Sequence, residues 1–246
     1  MIKFFRKIRQ NLLMENKTSK YFKYAIGEIV LVVIGILIAL QINNNNEVKK
    51  DRVFEIKMLK EVRKEIIKDT FYFNMLSKRT KTASNGAQNL INLIIQKKTN
   101  LDSVSKAIGD MSTGIVYLYH KGAYETIKSV GFDKISNDSL RFALTDLYDF
   151  SLPRTKQLLS RFEKTDKSIT QVDRRFQILS IIGTKNLDGK ITTQNNLKKS
   201  FFTDPEIVKM AINIRENNKS AFWRLQNIIE ECTLVLQLLD KELKME

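Results

Sequence analysis

The chain has 246 residues, with 42 Lys and Arg against 27 Asp and Glu, a formal net charge of +15. One cysteine excludes an intrachain disulfide and any multi-Cys zinc site, and one histidine excludes His-rich metal centres. Two prolines and nine glycines are few breakers for this length. With abundant Leu, Ile, Lys, Glu and Asn they point to an all-α protein, not a turn-rich sandwich or barrel.

Residues 2–14 place Phe5, Ile8 and Leu12 on one side of a helix and Arg6, Lys7 and Arg9 on the other. This suits a short basic amphipathic segment lying on an anionic inner leaflet, or a basic tail that only sets topology. Residues 1–23 are read as that cytoplasmic segment. From Tyr24 to Ile42 only Glu28 and Gln41 are polar, and Ile29 to Leu40 is wholly apolar. At 1.5 Å per residue the stretch spans about 28 Å, close to the hydrocarbon thickness of a bilayer. Lys17, Lys20 and Lys23 precede it, Tyr21 and Tyr24 sit at the interfacial position, and Asn43 to Asn46 form a polar stop. The spacing predicts a transmembrane helix over 24–42. The long leader and Ala39-Leu40-Gln41 fit a retained signal-anchor better than a cleaved signal peptide.

Six Lys and Arg in 5–24 against five in 43–62 favour an inside N-terminus and an extracytoplasmic C-terminal domain at the inner membrane. Glu28, Gly35 and Ala39 lie within about 40° of one another on the helix. Gly35-x-x-x-Ala39 is a small-x-x-x-small pair, so this face is the candidate surface for self- or hetero-association within the bilayer.

The string from Lys20 to Glu47, with Ile2 to Arg9 and Leu12-Leu13 before it, resembles the opening of an uncharacterised family of single-pass bacterial membrane proteins common in Bacteroidota. Ala123-Tyr124-Glu125-Thr126-Ile127-Lys128-Ser129, then Gly131, Ile135, Asn137, Leu140-Arg141 and Tyr148, is similar to its middle motif. The chain departs from that pattern at Asn45, where the family usually has tryptophan, and at Val130, where it usually has a second serine. The resemblance implies a membrane anchor and a helical domain, and brings no activity or cofactor.

Residues 43–246 read as one domain built as a long-helix antiparallel bundle. Three series with alternating steps of 3 and 4 predict its helices. The first runs Leu59, Val62, Ile66, Asp69, Phe73, Leu76, Thr80, Ala83, Ala87, Leu90 and Ile94. The second runs from Leu158 through Phe162, Thr165, Ile169, Val172 and Phe176 to Leu179. The third runs Ile207, Ala211, Ile214, Asn218, Ala221, Leu225, Ile228, Cys232, Val235 and Leu239. Ser84-Asn85-Gly86 predicts a kink, Asn100 to Ser105 a loop, and Ser136-Asn137-Asp138 a helix cap. Pro153 predicts a helix boundary, and Thr203-Asp204-Pro205-Glu206 a capping box. Asp188-Gly189 predicts a short β-hairpin near 186–191. The same stretch mimics part of a calcium loop, but Thr184 and Asn195 occupy the positions where Asp and Glu are needed.

No phosphate-binding glycine loop or dinucleotide fingerprint is present. Cys232 falls on an apolar seam, far in sequence from His120, so no nucleophile–base pair is predicted. Lys and Arg are mixed with Glu along helices, as in Lys60-Glu61-Val62-Arg63-Lys64-Glu65, which is not a nucleic-acid pattern. No catalytic, cofactor or metal residues are assigned. The candidate groove is Tyr117, Tyr119, His120, Tyr124, Glu125, Arg141 and Tyr148; the same residues would serve equally as a packed helix junction. The expected function is a membrane-anchored binding or scaffolding module without catalytic activity, acting on an unknown protein partner and not on nucleic acid. The alternative is an extracytoplasmic solute sensor that signals through a partner protein.

Overall fold

Neither proline lies before residue 153, so nothing in the first part of the chain removes a backbone donor from a helix. In the computed structural model, which describes residues 18–98, 101–112, 114–166, 183–185, 191–193 and 199–244, helix α1 accordingly spans Thr18–Ile95. The described residues are mostly helical. The amphipathic segment 2–14, the second series beyond Asp166 and the turn at 186–190 lie outside the described residues. The chain divides into two units, Met1–Glu55 and Ile56–Glu246.

In the first unit every residue from Ile29 to Leu40 is exposed. This is the one helix among the described residues long and apolar enough to cross a membrane. The asparagines that follow do not interrupt it. Their amides bond along the helix, Gln41 Nε2 donating to Asn45 Oδ1 at 3.3 Å and Asn43 Nδ2 to Glu47 Oε1 at 3.2 Å.

The second unit is organised by two seams. All the predicted positions from Leu59 to Ile94 are buried, the polar Asp69 and Thr80 included. So are those of the third series from Ile207 to Leu239, except the half-buried Asn218. The two helices run antiparallel side by side. Arg63 Nε donates to Asp240 Oδ1 at 2.6 Å, Gln226 Nε2 to Ser77 Oγ at 2.7 Å, and Arg215 Nη1 to Gln88 Oε1 at 2.8 Å.

Between them come α2 (Leu101–Met111), α3 (Gly122–Val130), α4 (Asp138–Thr145) and α5 (Leu152–Asp166), before α6 (Pro205–Lys244). Two three-residue strands, β1 (Gly183–Lys185) and β2 (Ile191–Thr193), pair antiparallel with Thr184 opposite Thr192.

Four local expectations are corrected. Of the loop predicted from Asn100 to Ser105, the described residues from Leu101 on are the start of α2, whose Val104, Ala107, Ile108 and Met111 are buried at helical spacing in one cluster with Leu90 and Ile94. α1 continues through Ser84-Asn85-Gly86 to Ile95, and a Cβ on Gly86 would stand 2.6 Å from Asp110 Cβ and 2.8 Å from the Ala107 carbonyl. The glycine therefore serves the close approach of α2.

Pro153 does not separate two helices, because a π-helical turn over Asp146–Ser151 widens the backbone just before it. Leu152 N–H bonds to the Leu147 carbonyl, and the wider turn accommodates the proline ring that an α-helix would press against the carbonyl four residues back. Leu159 and Leu152 are the buried leucines of α5, and Leu158, placed on the seam from sequence, is half-buried. Finally, Asp204 caps α6 by accepting from Glu206 N–H at 2.9 Å, one residue later than the predicted Thr203. The Asn137 cap forms as predicted, its side chain accepting from Leu140 N–H at 3.1 Å.

Candidate functional site

Asp69 is the one acidic residue among the seam positions from Leu59 to Ile94, and burial favours its protonated form. The extended segment 114–121 supplies its partners. Oδ2 accepts from the backbone N–H of His120 at 2.9 Å, and Oδ1 lies 2.6 Å from His120 Nδ1. These bonds partly offset the upward pull of burial on the Asp69 pKa. One turn earlier, the Glu65 carboxylate accepts from Ala123 N–H at 3.2 Å. It thus caps the first turn of α3, where a carboxylate also meets the positive end of the helix dipole. A Cβ on Gly122 would lie 3.3 Å from Glu65 Oε1, so the glycine keeps this approach open. Tyr72 donates its hydroxyl proton to the Val116 carbonyl. Glu65, Asp69 and Tyr72 on α1 therefore hold the whole middle segment.

The aromatic residues pack behind that polar clasp. Tyr117 stacks on Phe73 with ring centroids 4.8 Å apart, and Tyr124 stacks on Tyr148 at 4.4 Å. The hydroxyls of Tyr117, Tyr124 and Tyr148 are buried without a well-formed hydrogen bond, and burial pushes all three pKa values upward. Cys232 enters from α6 beside the Thr70 hydroxyl and within electrostatic reach of Asp69. Burial pushes its thiol up to about 12, so it is held protonated.

The predicted groove residues are thereby split. Tyr117, Tyr124 and Tyr148 are interior, and Tyr119 is half-buried beside Tyr117. His120 is tied to Asp69 through one ring nitrogen while 56% of its side chain stays exposed. Glu125 pairs with Lys121 at the surface, at 3.1 Å. Arg141 pairs with Asp138 at 2.6 Å. It lines an open cavity of about 490 Å³ with Phe132, Asp138, Phe142 and Thr145. Sequence reasoning missed Glu65 and Phe73 as partners of this segment, and it did not place Cys232 near Asp69. The signal available was Asp69 itself, a carboxylate at a seam position that needs a donor from elsewhere.

On the first unit, Gly35 and Ala39 share an exposed face of α1, and a Cβ on Gly35 would meet nothing within 4 Å. Among the described residues no three His, Cys, Asp or Glu side chains converge as a metal site would require.

A long exposed apolar helix, joined in sequence to a helical unit whose middle segment is clasped by the buried Asp69 and the half-buried Glu65, defines the class of protein. The chain belongs to the Family of unknown function (DUF6090), whose model matches residues 28–176. The match takes in the apolar run, the α1 seam and the Tyr117–Tyr148 segment, and ends before α6. No curated protein and no solved structure matches the chain.

Proposed function

We propose that the protein is a single-pass, membrane-anchored helical bundle that binds or scaffolds a protein partner, without catalytic activity of its own. One observation carries this reading: helices whose inner faces are filled still present large apolar side chains outward, with Phe71 77%, Phe142 74% and Trp223 60% exposed. A contiguous exposed apolar patch marks an interaction site, and Phe71 shares its face of α1 with the exposed Ile67 and Met75. The chemistry of the interior supports the same reading, since the Cys232 thiol is held protonated and His120 is engaged by Asp69.

The proposed location is the inner membrane, with residues 24–42 spanning it and 43–246 outside the cytoplasm. Association through Glu28, Gly35 and Ala39 is proposed for the span. External protease on spheroplasts should digest the C-terminal domain, and survival until lysis would reverse the orientation. In a membrane two-hybrid assay on the span, Gly35→Leu and Ala39→Leu should both weaken association; an unchanged signal would remove that face.

A second reading, solute sensing through a partner protein, is favoured by the three buried hydroxyls of Tyr117, Tyr124 and Tyr148, which lack well-formed bonds. Tyr124→Phe and Tyr148→Phe separate the readings. If the rings only pack, Tyr148→Phe loses an unsatisfied group and stability rises by about 1 kcal/mol, with a smaller gain for Tyr124→Phe, whose hydroxyl also interacts with Asp149. If the hydroxyls bind a polar solute, both variants lose stability in its presence, and a gain would end the sensing reading.

A further inference from the structure

We propose that the outward face of α1 between Lys57 and Thr82 is the docking surface for an acidic amphipathic helix of a partner protein; this rests on the binding-module reading and names its partner class. Ile67, Phe71 and Met75 are 41%, 77% and 36% exposed, on the side of α1 opposite its buried seam. At 100° per residue they form one ridge, with neighbours within about 40° and a length of about 12 Å. Lys60, Lys64 and Lys78 are exposed in line with that ridge at its two ends, and Lys68, Arg79 and Lys81 are exposed along its flanks.

The sign of this face follows from what the acidic residues of the same stretch do. Glu65 is turned to Ala123 N–H, and Asp69 is buried against His120. Glu61 is half-buried and paired with Lys64 at 2.8 Å. The fold thus turns Glu65 and Asp69 inward and leaves Glu61 as the one carboxylate beside these exposed lysines and arginine, bonded to Lys64. The result is an apolar ridge, one helix wide, in a field of positive charge.

That combination selects the occupant. A ridge at i, i+4 and i+8 fits the groove of another helix. Positive charge at its ends and flanks is complemented by carboxylates, and it repels the same face of a second copy. An interfacial membrane helix carries its apolar face along its whole length, whereas this apolar line is only three residues long and ends at Lys64 and Lys78. A nucleic-acid platform interleaves several aromatic rings, whereas Phe71 is the only ring on this ridge.

The test is site-specific photocrosslinking of the full-length chain in its membrane. A photoreactive phenylalanine analogue replaces Phe71, with Phe142 and Trp223 as comparison positions. The crosslinked peptide is then identified by mass spectrometry. The expected adduct from position 71 is an acidic segment of another protein with apolar residues at helical spacing. Its yield should fall roughly ten-fold when Lys64→Glu and Lys78→Glu are combined, and should fall with added salt. An adduct with lipid, nucleic acid, a second copy or a non-acidic segment would overturn the proposal, as would no adduct. Protein adducts from position 142 or 223 alone would remove this face and leave the binding-module reading intact. No protein adduct from any of the three would remove both.

Discussion

Residues 29–40 and residues 59–94 belong to the same helix and are both rich in Ile, Leu and Val, yet they are built for different surroundings. In the first stretch the apolar side chains point in every direction and all are exposed. In the second most of them form one stripe that is buried from end to end, and only a short ridge of Ile67, Phe71 and Met75 stands exposed on the opposite face. An all-round apolar helix needs an apolar solvent or a complete protein jacket, whereas a one-sided stripe needs only a neighbour on that side. The second stretch also tolerates polar residues on its seam, because the fold brings donors to them: His120 N–H reaches Asp69, and Gln226 reaches Ser77 near the seam.

This contrast can be broken experimentally. The largest effect is expected from Phe73→Ala, which removes a fully buried ring stacked on Tyr117 and should cost about 3–5 kcal/mol. Leu37→Ala, in the exposed run, should leave unfolding of the second unit unchanged. Denaturant titration of the full-length chain in micelles, followed by circular dichroism, compares the two, and equal losses would erase the distinction.

Next in size is a pair of glycine substitutions of opposite sign. Gly86→Ala should destabilise by about 1–3 kcal/mol, because the new methyl meets the backbone of α2. Gly109→Ala, on the exposed side of α2 with nothing within 4 Å, should stabilise by up to about 1 kcal/mol through helix propensity. A stabilising Gly86→Ala in thermal melts would refute the close approach.

The smallest effect sharpens the account of the buried carboxylate. Burial raises the Asp69 pKa in the folded state, so its contribution to stability is fully present below the unfolded carboxylate range and is lost as pH rises through the folded value. Asp69→Asn should therefore flatten the pH dependence of stability across that window relative to the wild type. An identical pH profile would show that Asp69 does not set it.

Much of this was legible in the chain because it depends on local periodicity. Steps of 3 and 4 located the α1 and α6 seams, and Asn137 announced its own helix cap. The errors share a cause. Asn100 to Ser105 looks like a loop by composition, but Val104 and Ala107 gain enough from burial against α1 to hold a helix there. Pro153 reads as a breaker, and the π-turn that accommodates it has no sequence periodicity of its own. Leu158 and Leu159 are adjacent leucines, and only the neighbouring helices select which of them is buried. The groove residues lie in one segment of the sequence, but their separation into buried rings and exposed ends depends on which face meets Phe73 and Tyr148.

By itself the sequence determined the helical character, the long apolar run and the two seams, since each follows from spacing and composition along a single element. Only the tertiary structure decided what the polar residues do. Hydrogen bonds and close approaches join residues far apart in the chain, and their geometry is set when the helices pack. That is how Glu65 came to cap α3 and Asp69 to hold His120. The same packing left Lys64 and Lys78 exposed on the outward face of α1.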